Sequence, residues 1–204
     1  MGVISIFPLP VYMKKAEDDQ FDNIQEEVIS ACNNIEFEQR PNWNKDTHML
    51  SKDPFNNTNF IVDQKCNHLL EFIYGSVFEY ISTIMGKDAH FQYYVMESWV
   101  TKTLKGQYAQ EHHHGVADIS GVYYVNTNGE DGNLVYDNVH SAMCGNFVVS
   151  CLPPKQPMPL ENGLLILWPG PLKHGTLTNS TDNERMSVSF NVFVGRKGFV
   201  LDNG

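Results

Sequence analysis

The apolar positions of this chain change period part-way along. Up to about residue 90 they recur mostly at helical spacing, and beyond it they fall into short runs divided by turn residues. Val3, Ile4, Ile6, Phe7, Leu9, Val11 and Tyr12 are strand formers, and Pro8 and Pro10 confine that segment to a sheet edge or a bulge. Asp18 and Asp19 offer N-cap oxygens for a helix running to about Asn33, in which Ile24, Val28 and Ala31 share a face and Glu26 and Glu27 take the wet side. Between Glu36 and Asn57 no period survives, so the stretch reads as a long surface loop with at most one short strand, and its His48 as a surface or lightly packed imidazole. A second helix is predicted from Asn59 to Met85, with Gly86 as its stop. Its stripe of Ile61, Leu69, Ile73, Val77, Ile81 and Ile84 is a face for a sheet to cover, and His68 on it reads as structural.

From Phe91 onward the texture is β. The segments FQYYVMESWVTKTL, DISGVYYVNTN, GNLVYDN, GNFVVSCLP, GLLILWP and RMSVSFNVFV follow at short intervals, and Asn128–Gly129, Asp131–Gly132 and Asn162–Gly163 mark tight hairpin turns between some of them. Such spacing predicts a sandwich or barrel. No linker or repeat divides the chain. The expectation is one mainly β domain over 1–204, with the strand and helices of 1–90 supporting the β core of 91–204.

Composition narrows the classes of function. A chain of 204 residues can bury one sizeable core, and 42% hydrophobic with 19% charged residues describes a globular protein rather than a disordered one. A net charge of −10 argues against binding to phosphate backbones or anionic membrane, so neither direct nucleic-acid binding nor a membrane partner is expected. Cys32, Cys66, Cys144 and Cys151 show no C-x-x-C spacing and read as free thiols of a reducing cytoplasm, a Cys144–Cys151 disulfide being the alternative. Prolines interrupt the apolar N-terminus and no basic region precedes it, so it is a poor secretory signal; no run approaches the roughly 18 apolar residues of a membrane span.

The chemistry concentrates around EHHHGVADISGVYYV. On a strand, residues two apart share a face, so His112 and His114 point together and His113 points away. His174, sixty positions after His114, follows the apolar run GLLILWPGPL and is the candidate third ligand for a transition metal. Three ligands on one side of a metal leave positions open for other molecules. Arg185 opens the last strand; its guanidinium can clamp a carboxylate through two parallel hydrogen bonds, with Ser187 on the same face and the Tyr124 phenol as helpers. Trp99, Tyr123 and Trp168 are candidate pocket walls. Taken singly, each signal has an ordinary counterpart in a polar loop, a solvated arginine or a packed aromatic. Their order along the chain is what carries the reading.

These residues resemble a known family. Glu97-Ser98-Trp99, His112-x-His114, Ser120-Gly121-Val122-Tyr123-Tyr124, Gly132-Asn133-Leu134, the strand Leu164 to Pro169 with His174, and Arg185 to Asn191 stand in the order found in iron(II)- and 2-oxoglutarate-dependent oxygenases, particularly the type found in bacteria and tailed phages. The opening IFPLPVY is similar too, and the tyrosine before Val125-Asn126 resembles that of prolyl-hydroxylase-like members. The resemblance implies a double-stranded β-helix (jelly-roll) core. It implies that His112, His114 and His174 bind Fe(II), and that Arg185, with Tyr124 and Ser187, holds 2-oxoglutarate as co-substrate. Oxygen would then convert 2-oxoglutarate to succinate and carbon dioxide while a C–H bond of a protein (prolyl in the first instance) or of a small molecule is hydroxylated. The implied compartment is cytoplasmic, a host cytoplasm if the chain is phage-encoded.

One departure stands out. The wider superfamily has a carboxylate where this chain has His114, so three neutral imidazoles face the metal, with Asp118 as the reserve ligand. Two other readings therefore stay open. One is a three-histidine, cupin-type dioxygenase that does not use 2-oxoglutarate. The other is a non-catalytic jelly-roll structural module of a phage.

Overall fold

The computed structural model describes residues 8–33, 35–52, 59–86, 91–139, 147 and 151–196. Ten strands and three helices occur among them, in the order β1 (Tyr12–Lys15), α1 (Asp18–Cys32), β2 (Phe37–Glu38), β3 (Met49–Ser51), α2 (Phe60–Asp63), α3 (Asn67–Met85), β4 (Phe91–Thr103), β5 (Ile119–Asn126), β6 (Leu134–Asp137), β7 (Lys155–Pro157), β8 (Leu164–Pro169), β9 (His174–Thr176) and β10 (Arg185–Arg196). A seven-stranded sheet runs β1-β8-β5-β10-β4-β3-β2, and a three-stranded sheet runs β7-β6-β9; every pairing within them is antiparallel.

Strand parity assigns the two faces of the larger sheet. Tyr123 and Val125 of β5, Leu165 and Leu167 of β8, and Val188, Phe190 and Val192 of β10 join one core with Ile24 and Val28 of α1 and Leu69, Ile73 and Val77 of α3. The alternate residues Val122, Tyr124, Leu164, Ile166 and Trp168 join a second core with Leu134 and Tyr136 of β6, between the sheets. The helices thus cover one face and leave the other to the smaller sheet. Arg185, Ser187 and Asn191 have the parity of that inner face and are nearly fully buried.

Several local expectations change. Residues 1–7 lie outside the described residues, and the edge strand is Tyr12–Lys15, where the proposed segment ends. Helix α1 begins at Asp18, but its N-cap is Glu17 with no side-chain cap, so neither aspartate caps it. The long second helix is two: α2 stops at Asp63, Lys65 takes φ 57, and α3 starts at Asn67. Its stripe is buried from Ile61 to Ile81, but Ile84 is 52% exposed, so the stripe runs past the edge of what it covers. His68 is exposed rather than packed. The 36–57 loop carries two short strands, β2 and β3, with 53–58 outside the described residues. The strand expected over 145–153 falls largely outside them as well, and so does Cys144; Cys32, Cys66 and Cys151 are free thiols. Tyr123 belongs to the helix-side core, edge-on to Phe72, and lines no part of the site. Among the described residues no helix is long and apolar enough to cross a membrane.

Candidate metal centre and its anion pocket

His112, His114 and His174 come together: one nitrogen from each lies within 4.8 Å of the others. The two near histidines are not on a strand. They lie in the loop between β4 and β5, which is tied to β9 by a single bridge in which His112 N donates to His174 O at 2.8 Å and His174 N to His112 O at 2.9 Å. His114 N donates to Gly170 O at 2.9 Å, which fixes the other end of this loop. A side chain at Gly170 would put Cβ 2.2 Å from Ala117 O, so the Pro-Gly-Pro turn holds the loop by close backbone approach. Outside, Glu111 and Asp137 form an ion-pair network with Lys155 and Lys173, beside His112 and His174.

The imidazoles are set up as neutral donors. His112 Nδ1 lies 2.7 Å from Gln110 O and His174 Nδ1 2.8 Å from Leu172 O; carbonyls only accept, so Nδ1 carries the proton and Nε2 keeps its lone pair. Burial, and secondarily the neighbouring imidazoles, pushes His114 down to about 4 and His174 down to about 3, and burial lowers His112 in the same direction. Trp168 stands edge-on to His174 at 4.8 Å and Trp99 tilts against His114 at 5.7 Å, so two of the three expected aromatic walls are present. Three neutral imidazoles gathered at one point, two of them with Nε2 lone pairs already free, fit a divalent transition metal.

Arg185 completes the pocket. It is 2% exposed, and its four hydrogen bonds go to neutral groups: Nη1 to Asp131 O (3.3 Å) and Gly132 O, Nη2 to Thr103 Oγ1 (3.0 Å) and Thr176 Oγ1 (3.5 Å). Burial lowers its pKa, and Tyr124 and Asp131 oppose that. The Asp131 carboxylate is occupied by Thr127 Oγ1, Asn128 N and Asn183 Nδ2. A buried guanidinium paired only with neutral oxygens is a site for an anion. One cavity of about 70 Å³ is lined by Arg185, Tyr124, Ser187, Thr101, His48 and the three histidines, among others. Tyr124 and Ser187 are opposite one another in the β5–β10 register. A groove of about 360 Å³ leads from His112 and His114 past Trp43, His48, Leu50, Glu97 and Trp99. The larger depression of about 610 Å³ near Lys15 and Asn128 contains none of these residues.

Gly132 makes the Arg185 contact possible. It has φ 99°, and a Cβ there would lie 2.3 Å from Leu177 O and 3.2 Å from Arg185 Nη1. Gly132→Ala is therefore expected to cost about 3 kcal/mol and roughly 10 °C in Tm; an unchanged melt would show that this approach is not needed.

Sequence reasoning missed three parts of the site. His48 is buried, not at the surface; its Nδ1 contacts Tyr108 O at 3.2 Å, and it borders both cavity and groove. Thr103 and Thr176 hold Arg185, and Asn191 contacts His114. The parity of Thr103 and Asn191 was a usable signal for these two; nothing local marked His48. The reserve ligand fails: Asp118 Oδ2 accepts from Val194 N at 2.8 Å and is not in the cluster, because it serves the adjoining strand backbone.

Residues 97–191 match the family model described as "Putative 2OG-Fe(II) oxygenase". Over these residues, just under half of its length, the chain is similar to the 2OG-Fe(II) oxygenase family. Solved structures share the fold at low identity. An oxidoreductase of the 2OG-Fe(II) oxygenase family from Burkholderia pseudomallei is 12% identical, covering 89% of this chain and 83% of its own, with TM-score 0.62. HygX from Streptomyces hygroscopicus, with nickel and 2-oxoglutarate bound, is 12% identical over 94% and 85%, with TM-score 0.59. A prolyl-4-hydroxylase from Pseudomonas putida is 12% identical over 92% and 93%, with TM-score 0.55. The chain has no match among curated proteins. The jelly-roll core expected from the sequence is the fold of these neighbours.

Proposed function

We propose that His112, His114 and His174 hold the iron and that Arg185, assisted by Tyr124 and Ser187, receives the distal carboxylate of 2-oxoglutarate. The observation that carries this is the continuity of one cavity from the three imidazoles to a buried arginine with no carboxylate partner among the described residues. Bound iron with 2-oxoglutarate and oxygen supplies the oxidation of a C–H bond. The chain's own part is positional. Nδ1–H bonds orient two imidazoles, the guanidinium fixes the co-substrate's far end, and Trp99, Trp168 and Leu134 line the cavity between them.

The substrate's path is the groove, and its class in this reading is a prolyl segment of a protein, with a small molecule as the other occupant. Trp43, Trp99 and Leu50 provide the apolar walls on which a prolyl ring can rest. Arg40 lies over the Trp43 ring at 5.4 Å and holds it as a wall. Trp43 and Leu50 come from the 36–57 segment and Trp99 from β4, so that long segment borders the mouth of the site. The likeness in fold to a prolyl-4-hydroxylase supports the class without specifying the residue oxidised.

Anaerobic addition of ferrous iron and then 2-oxoglutarate to the metal-free protein tests the site. A visible charge-transfer band is expected only with both present, and it should vanish in His174→Ala. Iron binding without a band would favour the three-histidine dioxygenase, which the absence of a carboxylate from the cluster keeps in play. No iron binding at all would sink the assignment.

A further inference from the structure

We infer that Asn191 sets the tautomer of His114, and that with Glu97 it controls whether the third imidazole is available to the metal. This rests on the metal assignment above.

The three histidines are not equivalent. Backbone carbonyls at 2.7 and 2.8 Å fix His112 and His174 with the proton on Nδ1. His114 has an amide there instead: its Nδ1 lies 3.4 Å from Asn191 Nδ2. The same Asn191 nitrogen donates to Glu97 Oε2 at 3.0 Å, and Asn191 Oδ1 accepts from Ser120 Oγ at 2.8 Å. Ser120 is 1% and Asn191 5% exposed, so packing holds the amide in place. A carboxylate only accepts, so Glu97 keeps the NH2 end of Asn191 turned towards it. His114 Nδ1, beside that NH2, is then an acceptor, and its proton sits on Nε2.

An imidazole protonated on Nε2 has no lone pair there for a metal. Ligation through Nδ1 would need the lone pair that Asn191 occupies. On either nitrogen, Asn191 has to give way. Turning its amide presents Oδ1 to His114, and the proton passes from Nε2 to Nδ1 by exchange with solvent, with no net change in charge. The Ser120 hydroxyl can follow, because it both donates and accepts. Glu97 is exposed and can turn to water in the groove. The site therefore has two ligands set in advance and one held back. Glu97, which keeps Asn191 turned, lies in the groove assigned to substrate.

The test reads the proton directly. In the metal-free 204-residue chain with 15N-labelled histidine, a two-bond 1H–15N spectrum near neutral pH distinguishes the tautomers. The expected result is a proton on Nδ1 in His112 and His174 and on Nε2 in His114. In Glu97→Gln the new amide can donate to Asn191 Oδ1, so His114 should shift to the Nδ1–H form and ferrous iron should bind anaerobically about tenfold more tightly. A wild-type His114 protonated on Nδ1 would overturn the inference, as would a Glu97→Gln variant with unchanged tautomer. Loss of iron affinity in that variant would also overturn it, since it would mean that the charge of Glu97 assists the metal. If the wild type binds no iron, the metal assignment fails, and the histidine spectrum still decides the tautomer.

Discussion

Arg185→Leu should fold and yet bind 2-oxoglutarate at least about a hundredfold more weakly, because truncating one member of a buried, hydrogen-bonded charge pair costs about 2–5 kcal/mol. Two opposing terms keep its effect on folding small. The guanidinium is 2% exposed with no carboxylate partner among the described residues, and a buried charge in that state costs several kcal/mol. Its removal strands Gly132 O, Asp131 O and the two threonine hydroxyls, at about 1–3 kcal/mol for each group left unpaired. The binding loss has no such offset. Arg185→Lys keeps a charge but not the planar fork, so it should fall between the two. The measurement is calorimetric titration of 2-oxoglutarate into the nickel-loaded protein, with iron or nickel affinity as control. Wild-type affinity in Arg185→Leu would move the carboxylate site elsewhere.

What could be read from the sequence follows how local each signal is. Parity along β5, β8 and β10 sorts Tyr124, Ser187 and Arg185 to the inner face, because side-chain direction in a strand depends only on the residue count. His112 and His114 do converge, although they lie in a loop; hydrogen bonds to His174 and Gly170 do the aligning that a strand was expected to do. The break between α2 and α3 was hidden, because the apolar stripe continues through it while the backbone turns at Lys65. His48 was hidden for a different reason. Its burial depends on Tyr108 and Trp43, one of them sixty positions away (108 − 48), and no periodicity records that contact. Glu97 and Asn191 were visible only as letters in a motif. Their meeting at His114 depends on the β4–β10 register, where Asn191 stands opposite Glu97.

The metal-free protein should lose stability steeply between pH 6.5 and 4. His48, held at about 4 by burial, and His174, held at about 3, are neutral in the folded chain well below the pH at which an unfolded histidine takes up a proton, about 6.5. In that window the unfolded state binds more protons than the folded state, so stability falls as pH falls. The contribution is complete above 6.5 and is lost as pH drops towards the folded values. Each group adds a slope of up to about 1.4 kcal/mol per pH unit, and these two, 6% and 4% exposed, give about 3 together. Two pH units then remove about 5 kcal/mol, which rivals the whole stability of an ordinary domain. His112 and His114 shift in the same direction and add to the slope. Urea titrations at successive pH values measure it. A bound metal competes with protons for His174 but not for His48, which is outside the cluster. Saturating nickel should therefore carry the acid midpoint downward, whereas His48→Gln should flatten the slope in the metal-free protein and leave nickel affinity unchanged. A stability that stays level from pH 7 to 5 would mean that these imidazoles are hydrated in the folded chain, and the burial of His48 and His174 would have to be abandoned with it.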